Sequence, residues 1–127
     1  DYAVAALSGP SHAEGVAREM PTGCVAACPE KAIAEWVQGI FMNPSFRVYS
    51  STDITGVELC GAAKNIIALA AGMAEGMGCG DNAKALMMSR ALVELSALIK
   101  AAGGQENTCF GRAGRRTPAL GWPAWGI

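Results

Sequence analysis

The strongest constraint on the fold is a change of pattern at Ser51. Before it, short apolar runs alternate with helical ones; after it the chain carries long helical stretches. Residues 2–8 (Tyr-Ala-Val-Ala-Ala-Leu-Ser) read as a short buried strand ended by Gly9 and Pro10. Ser11-His-Ala-Glu14 has the form of a capping box, with Ser11 as N-cap, opening a helix that runs through Glu19 and stops near Pro21. Residues 22–28 form a second buried strand. Pro29 and Glu30 open a second helix, in which Ile33, Trp36, Val37, Ile40 and Phe41 recur at helical spacing. Asn43-Pro44-Ser45 is a turn, and residues 46–49 are a third strand. Strands alternating with helices in this way predict βαβ units, whose parallel pairs need neighbouring strands and helices to cover them.

From Ile54 to about Gly76 the expected structure is one long helix, with Asp53 or Thr52 as its cap. Residues 76–80 (Gly-Met-Gly-Cys-Gly) break it. Asp81 is the expected cap of a further helix reaching Ala101, which Gly103 and Gly104 terminate. Residues 76–80 do not follow a strand and lack the Gly-x-Gly-x-x-Gly spacing, so they read as an interhelical turn rather than a dinucleotide fingerprint. Gly72-x-x-x-Gly76 reads as close helix packing, and Met73, Met77, Met87 and Met88 as core filler. Within the first long helix Lys64 stands among small residues: Gly61, Ala62, Ala63 and Ala68 are too short to shield its ammonium. A cation so placed either snorkels to water or serves some chemistry.

With 10 basic and 11 acidic residues in 127, and about half of them apolar, the chain can build a core but offers no nucleic-acid footprint. Its only basic cluster is Arg112, Arg115 and Arg116. Lys64 and Glu75 interrupt the best apolar run, so no membrane span is expected; nor does a charged-then-apolar leader precede the first strand. Cys24 and Cys28 fall about 13 Å apart along a strand at ~3.3 Å per residue, beyond disulfide reach. His12 is the only histidine. The five cysteines are therefore expected to be free thiols in a reducing cytoplasm, with no metal site.

Several segments, in order and in register, resemble NAD(P)-dependent glycerol-3-phosphate dehydrogenase. Ser8-Gly-Pro-Ser-His-Ala13 is similar to that family's Ser-Gly-Pro-Ser/Thr-Phe-Ala turn, with His12 in place of phenylalanine. Phe46-Arg-Val-Tyr49 resembles the strand leading into its helical domain, and the run around Lys64-Asn65 its catalytic-lysine helix. Gly80-Asp-Asn-Ala-Lys-Ala85 and Ser89-Arg-Ala-Leu-Val-Glu-Leu95 resemble the helix that follows.

The resemblance implies an α/β remnant, the C-terminal part of a Rossmann domain, over 1–50. An all-α domain of the 6-phosphogluconate-dehydrogenase C-terminal type would begin at 51 and continue to 114. It implies interconversion of sn-glycerol 3-phosphate and dihydroxyacetone phosphate for phospholipid synthesis, with NAD or NADP, by a cytoplasmic enzyme that is a homodimer when complete. Lys64 would be the proton donor and acceptor; Gly9, Ser11, Lys64 and Asn65 would line the substrate site, and Ala13 would touch the nucleotide. Two alternatives stand beside it: another lysine-dependent dehydrogenase of the β-hydroxyacid type, to which Phe46-Arg-Val-Tyr49 and Asp81-Asn-Ala do not belong, and a non-catalytic truncated remnant.

Other family features have no counterpart here. These are the glycine-rich pyrophosphate turn, an upstream lysine for the substrate phosphate, an aspartate beyond Gly114 and a Ser/Thr-Arg-Asn cluster. Residues 115–127, rich in Arg, Pro, Gly and Trp, have no apolar period and are expected to be an aberrant, disordered tail of out-of-frame origin.

Overall fold

The computed structural model describes residues 2–110. The element order is β1 (Ala6–Ser8), α1 (Ala13–Ala17), β2 (Thr22–Ala27), α2 (Lys31–Phe41), β3 (Phe46–Ser51), α3 (Ile54–Gly76) and α4 (Gly80–Ala101). An α/β part thus precedes an all-helical one, the expected remnant of a Rossmann domain followed by the start of a helical domain. The tail from Arg115 onward lies outside the described residues.

The three strands form one sheet in the order β1-β2-β3. β2 and β3 are parallel, with Thr22 opposite Phe46 and Ala27 opposite Ser51, and α2 is their crossover. Gln38 of α2 ties the crossover down by donating to the Val48 carbonyl at 2.7 Å. Cys24, Ala26, Ala27 and Cys28 on and just after β2, Ala34 of α2 and Val48 of β3 are buried in this part. The Asn43 turn also forms as expected: Asn43 Oδ1 accepts from the backbone N–H of Ser45 and of Phe46, at 3.0 and 2.8 Å.

The first half of the α/β part departs from the expectation of parallel βαβ units. β1 is only three residues long, and it runs antiparallel to β2, with Ala6 opposite Ala27 and Ser8 opposite Val25. Tyr2 and Val4, expected in a buried strand, are exposed. The intervening α1 has five residues, not the run through Glu19. It ends because Glu19 adopts φ 55°, the left-handed conformation that usually calls for glycine. Met20 N–H then reaches back to the Gly15 carbonyl at 3.0 Å. The capping box does not form either. His12 is the N-cap and makes no side-chain bond to the helix, while the Ser11 hydroxyl faces back to the Gly9 carbonyl at 3.4 Å.

Asp53 caps α3 as expected, accepting from Gly56 N–H at 3.0 Å. α3 ends in the Schellman pattern: Gly78 has φ 69°, its N–H bonds to the Glu75 carbonyl, and Cys79 N–H bonds to that of Ala74. Residue 79, not Asp81, is the N-cap of α4, and Asp81 lies in its first turn. There it bonds Lys84 at 2.9 Å, and Lys84 also pairs with Glu75 of α3, so one ammonium links both helices across the turn. Those hydrogen bonds, that of Glu75 first, push Lys84 up to about 12. α4 closes with the same Schellman pattern, using Gly103 at φ 87° and Gly104.

The helical core consists of Cys60, Leu95, Ile99 and Cys109, with Leu59, Ala63, Ile67 and Leu92 packed around it. Ile99 and Leu95 each contribute about 1.5–3 kcal/mol by leaving water. The core is smaller than the sequence suggests. Met88 is buried and Met87 half-buried, but Met73 and Met77 are exposed. Gly72 and Gly76 have nothing within 4 Å of where a Cβ would stand, so they serve no close packing among the described residues. Trp36, Ile40 and Phe41 of α2 are likewise exposed. These apolar faces find no neighbour among the described residues. α3 is also long and apolar enough to cross a membrane by length and composition, with mean hydropathy 1.4 over its best window.

Candidate functional site

Two glycines bring the Ser8–Ser11 turn, β2 and α3 together. At Gly9 a Cβ would stand 2.6 Å from the Gly23 carbonyl oxygen and 2.7 Å from the Cys24 Cα, so only glycine lets the turn lie on β2. At Gly61 a Cβ would stand 2.9 Å from the Ser8 Oγ, so α3 passes β1 with a hydroxyl directly against its backbone. Ser8 is not among the site residues expected from sequence. Its position in the Ser-Gly-Pro motif was the available signal.

Lys64 and Asn65 follow Gly61 by three and four residues, the two positions that share its helix face. At about 100° per residue they straddle the direction in which Gly61 meets Ser8. Lys64 lies on the side shared with Cys60, at the seam between the helical core and the Ser8 turn, and is half-buried. Asn65 lies toward solvent and is exposed. Lys31, Lys84 and Lys100 each form an ion pair, with Glu35, with Glu75 and Asp81, and with Glu106. Among the described residues Lys64 is the one lysine with neither an ion pair nor a hydrogen bond. An ammonium held on a rigid helix with its donors unspent is suited to bind an oxygen of a ligand or to exchange a proton with it.

The other expected residues are less well gathered. Ser11 and Ala13 are exposed, and Ser11 N–H is already bonded to the Gly9 carbonyl at 2.9 Å. α1 is too short to present the anion-attracting N-terminus that the Ser11 cap predicts. Ala13 opens this helix with no glycine-rich strand-to-helix turn before it, so the described residues do not by themselves make a dinucleotide cradle. No group of three or more His, Cys, Asp or Glu side chains suited to a metal occurs among the described residues.

The N-cap of α3, Asp53, eleven residues before Lys64, is fixed by a buried network. Besides capping Gly56, the Asp53 carboxylate accepts from Gln105 N–H at 2.8 Å and from the Thr108 hydroxyl. Burial alone would raise its pKa, but the bonds from Thr108, Gln105 and Gly56 outweigh it and hold the carboxyl below its ordinary value. Gly56 and Gly104 allow this closeness. A Cβ on Gly56 would lie 2.1 Å from Asp53 Oδ2, and one on Gly104 would lie 2.7 Å from Ile99 Cγ2.

A Rossmann-type strand-and-helix segment feeding a helical one, with an unpaired lysine on the first long helix beside the strand-end turn, is the layout of a two-domain dehydrogenase at its domain junction. Comparison with known proteins narrows this. Residues 1–34 match the family model for the NAD-dependent glycerol-3-phosphate dehydrogenase N-terminus, and residues 53–115 match that for the C-terminus. The chain belongs to the NAD-dependent glycerol-3-phosphate dehydrogenase family. It is similar to glycerol-3-phosphate dehydrogenase (NAD(P)+) of Fusobacterium nucleatum, 53% identical over 87% of this chain and 33% of that protein. The Thermus thermophilus enzyme of the same name is 56% identical over 87% of this chain and 34% of its own. Among solved structures, glycerol-3-phosphate dehydrogenase from Coxiella burnetii superposes with TM-score 0.81 at 38% identity, covering 90% of this chain and 35% of that one. The chain thus spans about a third of the length of the relatives it matches.

Proposed function

We propose that this chain supplies the acid–base lysine and part of the substrate wall of an enzyme interconverting sn-glycerol 3-phosphate and dihydroxyacetone phosphate. The observation that carries it is the unpaired, half-buried Lys64 beside Gly61, where α3 meets the Ser8–Ser11 turn. In the direction of alcohol oxidation Lys64 takes the hydroxyl proton at C2, and in reverse it returns that proton to the ketone oxygen. A nicotinamide cofactor, NAD or NADP, would accept the hydride, held mainly by parts of the enzyme this chain does not span. The small residues around Lys64 leave room for a substrate whose binding excludes water from the lysine.

Gly9 supports the site through the backbone, by setting the turn against β2. Ser11 and Asn65 are the side chains proposed to reach substrate from the two sides of Lys64, and Ala13 the one to touch nucleotide. In this reading residues 1–50 end the Rossmann domain and residues 51–114 begin the helical one. The exposed apolar side chains Ile66, Leu69 and Met73 of α3 are then the surface on which further helices of the same domain pack, not a membrane-facing one. A homodimeric, cytoplasmic enzyme completes the proposal.

The test is to restore the flanking parts from the Thermus thermophilus relative around this chain and follow NADH or NADPH consumption with dihydroxyacetone phosphate. Turnover of that substrate, with none on β-hydroxyacid or keto-acid pairs, is the expected result. Turnover restricted to β-hydroxyacids would move the chain to the other lysine-dependent class, and no turnover with a well-folded hybrid would leave the remnant reading in its place.

A further inference from the structure

Cys60 and Cys109 lie 49 residues apart in sequence, yet their sulfurs are 2.9 Å apart in the helical core. That separation is within about 1 Å of the ~2.05 Å S–S bond. Cys60 projects from the second turn of α3, and Cys109 from the turn after α4 that the Asp53 carboxylate draws back onto α3. Both thiols are free and buried, and neither takes part in the chemistry proposed for Lys64. The other cysteines are placed differently: Cys24 and Cys28 lie along and just beyond β2, and Cys79 is exposed at the interhelical turn. Spacing in the sequence marks none of this.

We propose that Cys60 and Cys109 are a redox modification site, a dithiol that closes to an intrachain disulfide by exchange with a small-molecule disulfide such as oxidised glutathione. The proposal rests on the sulfur geometry alone and stands whether or not the enzymatic reading holds. The segment 105–110 belongs to no helix or strand. It is held by turn bonds, by Gln105 N–H and the Thr108 hydroxyl to Asp53, and by Ser96 to the Glu106 carbonyl, and local release of these few bonds opens it to admit the reagent. Opening exposes Cys109 first. Its thiolate attacks one sulfur of the glutathione disulfide; that S–S bond breaks, and one glutathione leaves and takes up a proton. The Cys60 thiolate then attacks the Cys109 sulfur of the mixed disulfide, expelling the second glutathione, which is also protonated. Two electrons pass from the protein to glutathione, and two thiols of the protein become one disulfide. The hydrogen bond with Cys109, then burial, holds the Cys60 thiol above its ordinary range, consistent with Cys109 ionising first. Once closed, the bond lies in the core and ties the 104–110 segment to the helix that bears Lys64, one turn before it.

The test uses the full chain in glutathione redox buffers of rising oxidised fraction, with trypsin mapping of alkylated samples. Cys60 falls in the peptide 48–64 and Cys109 in 101–112, so a cross-link joins two separate peptides, while Cys79 lies in 65–84 and Cys24 and Cys28 share 19–31. The expected result is loss of two of the five thiols, with 48–64 linked to 101–112, lighter by two hydrogens and released by dithiothreitol. The melting temperature of the oxidised chain should rise by at least about 5 °C, since a long loop is closed. The same buffers in concentrated urea should scatter the pairing among all the cysteines. The exposed Cys79→Ser variant should behave as the parent, and Cys109→Ala should lose the linked peptide. Pairing of Cys24 with Cys28, glutathione confined to Cys79, or a pairing pattern unchanged by urea would each overturn the proposal.

Discussion

Replacing Asp53 with alanine removes the one carboxylate that joins the start of α3 to the segment after α4. Three donors lose their acceptor: Gly56 N–H, Gln105 N–H and the Thr108 hydroxyl. An N-cap side chain is worth ~1 kcal/mol, and a hydrogen bond to a charged group ~1.5–3 kcal/mol. Taking the low end for Gln105 and Thr108 gives about 4 kcal/mol, a large part of the 5–15 kcal/mol typical of a domain. Chemical denaturation in urea, followed by far-ultraviolet circular dichroism, should move the midpoint down by about 2 M for a slope of ~2 kcal/mol/M. Asp53→Asn keeps a neutral acceptor and should lose only about half as much. The pH dependence follows from the lowered pKa. The carboxylate's contribution is fully present above its unfolded value of ~3.9 and disappears as pH falls through the lower folded value. The gap between parent and Asp53→Asn should therefore close below about pH 4. A loss of ~1 kcal/mol or less for Asp53→Ala, the size of an ordinary exposed cap, would refute the reasoning.

Gly56→Ala should cost nearly as much as Asp53→Ala, because its Cβ would stand 2.1 Å from Asp53 Oδ2 and expel the carboxylate. The double variant should be clearly less destabilised than the sum, since both changes break one network; additive urea midpoints would sever the link. Gly9→Ala should cost ~1–3 kcal/mol through its clash with the Gly23 carbonyl and the Cys24 backbone, read as a lower melting temperature. The 127-residue chain alone should not bind NADH, for want of a glycine-rich strand-to-helix turn; saturable micromolar binding by fluorescence or calorimetry would contradict this.

The helical half was legible because its signals are local. Asp53 before a long apolar run and Gly103–Gly104 after another mark helix ends through capping groups that need no tertiary partner. The crossover through α2 was equally plain. The first strand pair was not, because the chain leaves α1 through Glu19 in a conformation that glycine would have advertised, and β2 then returns antiparallel to β1. Ser11 failed as a cap because its hydroxyl and N–H both face Gly9, a competition between side chain and local backbone that the Ser-x-x-Glu spacing does not reveal. The exposed Met73 and Met77 show the limit of reading burial from apolar character, which identifies a face wanting a neighbour but not whether one is present. Lys64 could be singled out from its small-residue surroundings, but its place one turn after the Gly61–Ser8 approach depends on contact between distant segments. The approach of Cys60 and Cys109, like the reach of Asp53 to Thr108, spans about fifty residues and leaves no periodic trace.

The most direct test of the central claim is Lys64→Ala in the chain completed with the flanking parts of its Thermus thermophilus relative. A positioned acid–base group contributes ~10²–10⁴-fold to turnover, so kcat with dihydroxyacetone phosphate should fall by that factor. KM and cofactor affinity should change little, and Lys64→Arg should not restore the rate, because a guanidinium does not give up its proton near neutral pH. A variant that keeps the parent kcat and loses only in KM would contradict the account, making Lys64 a substrate-binding cation and leaving proton transfer to another group.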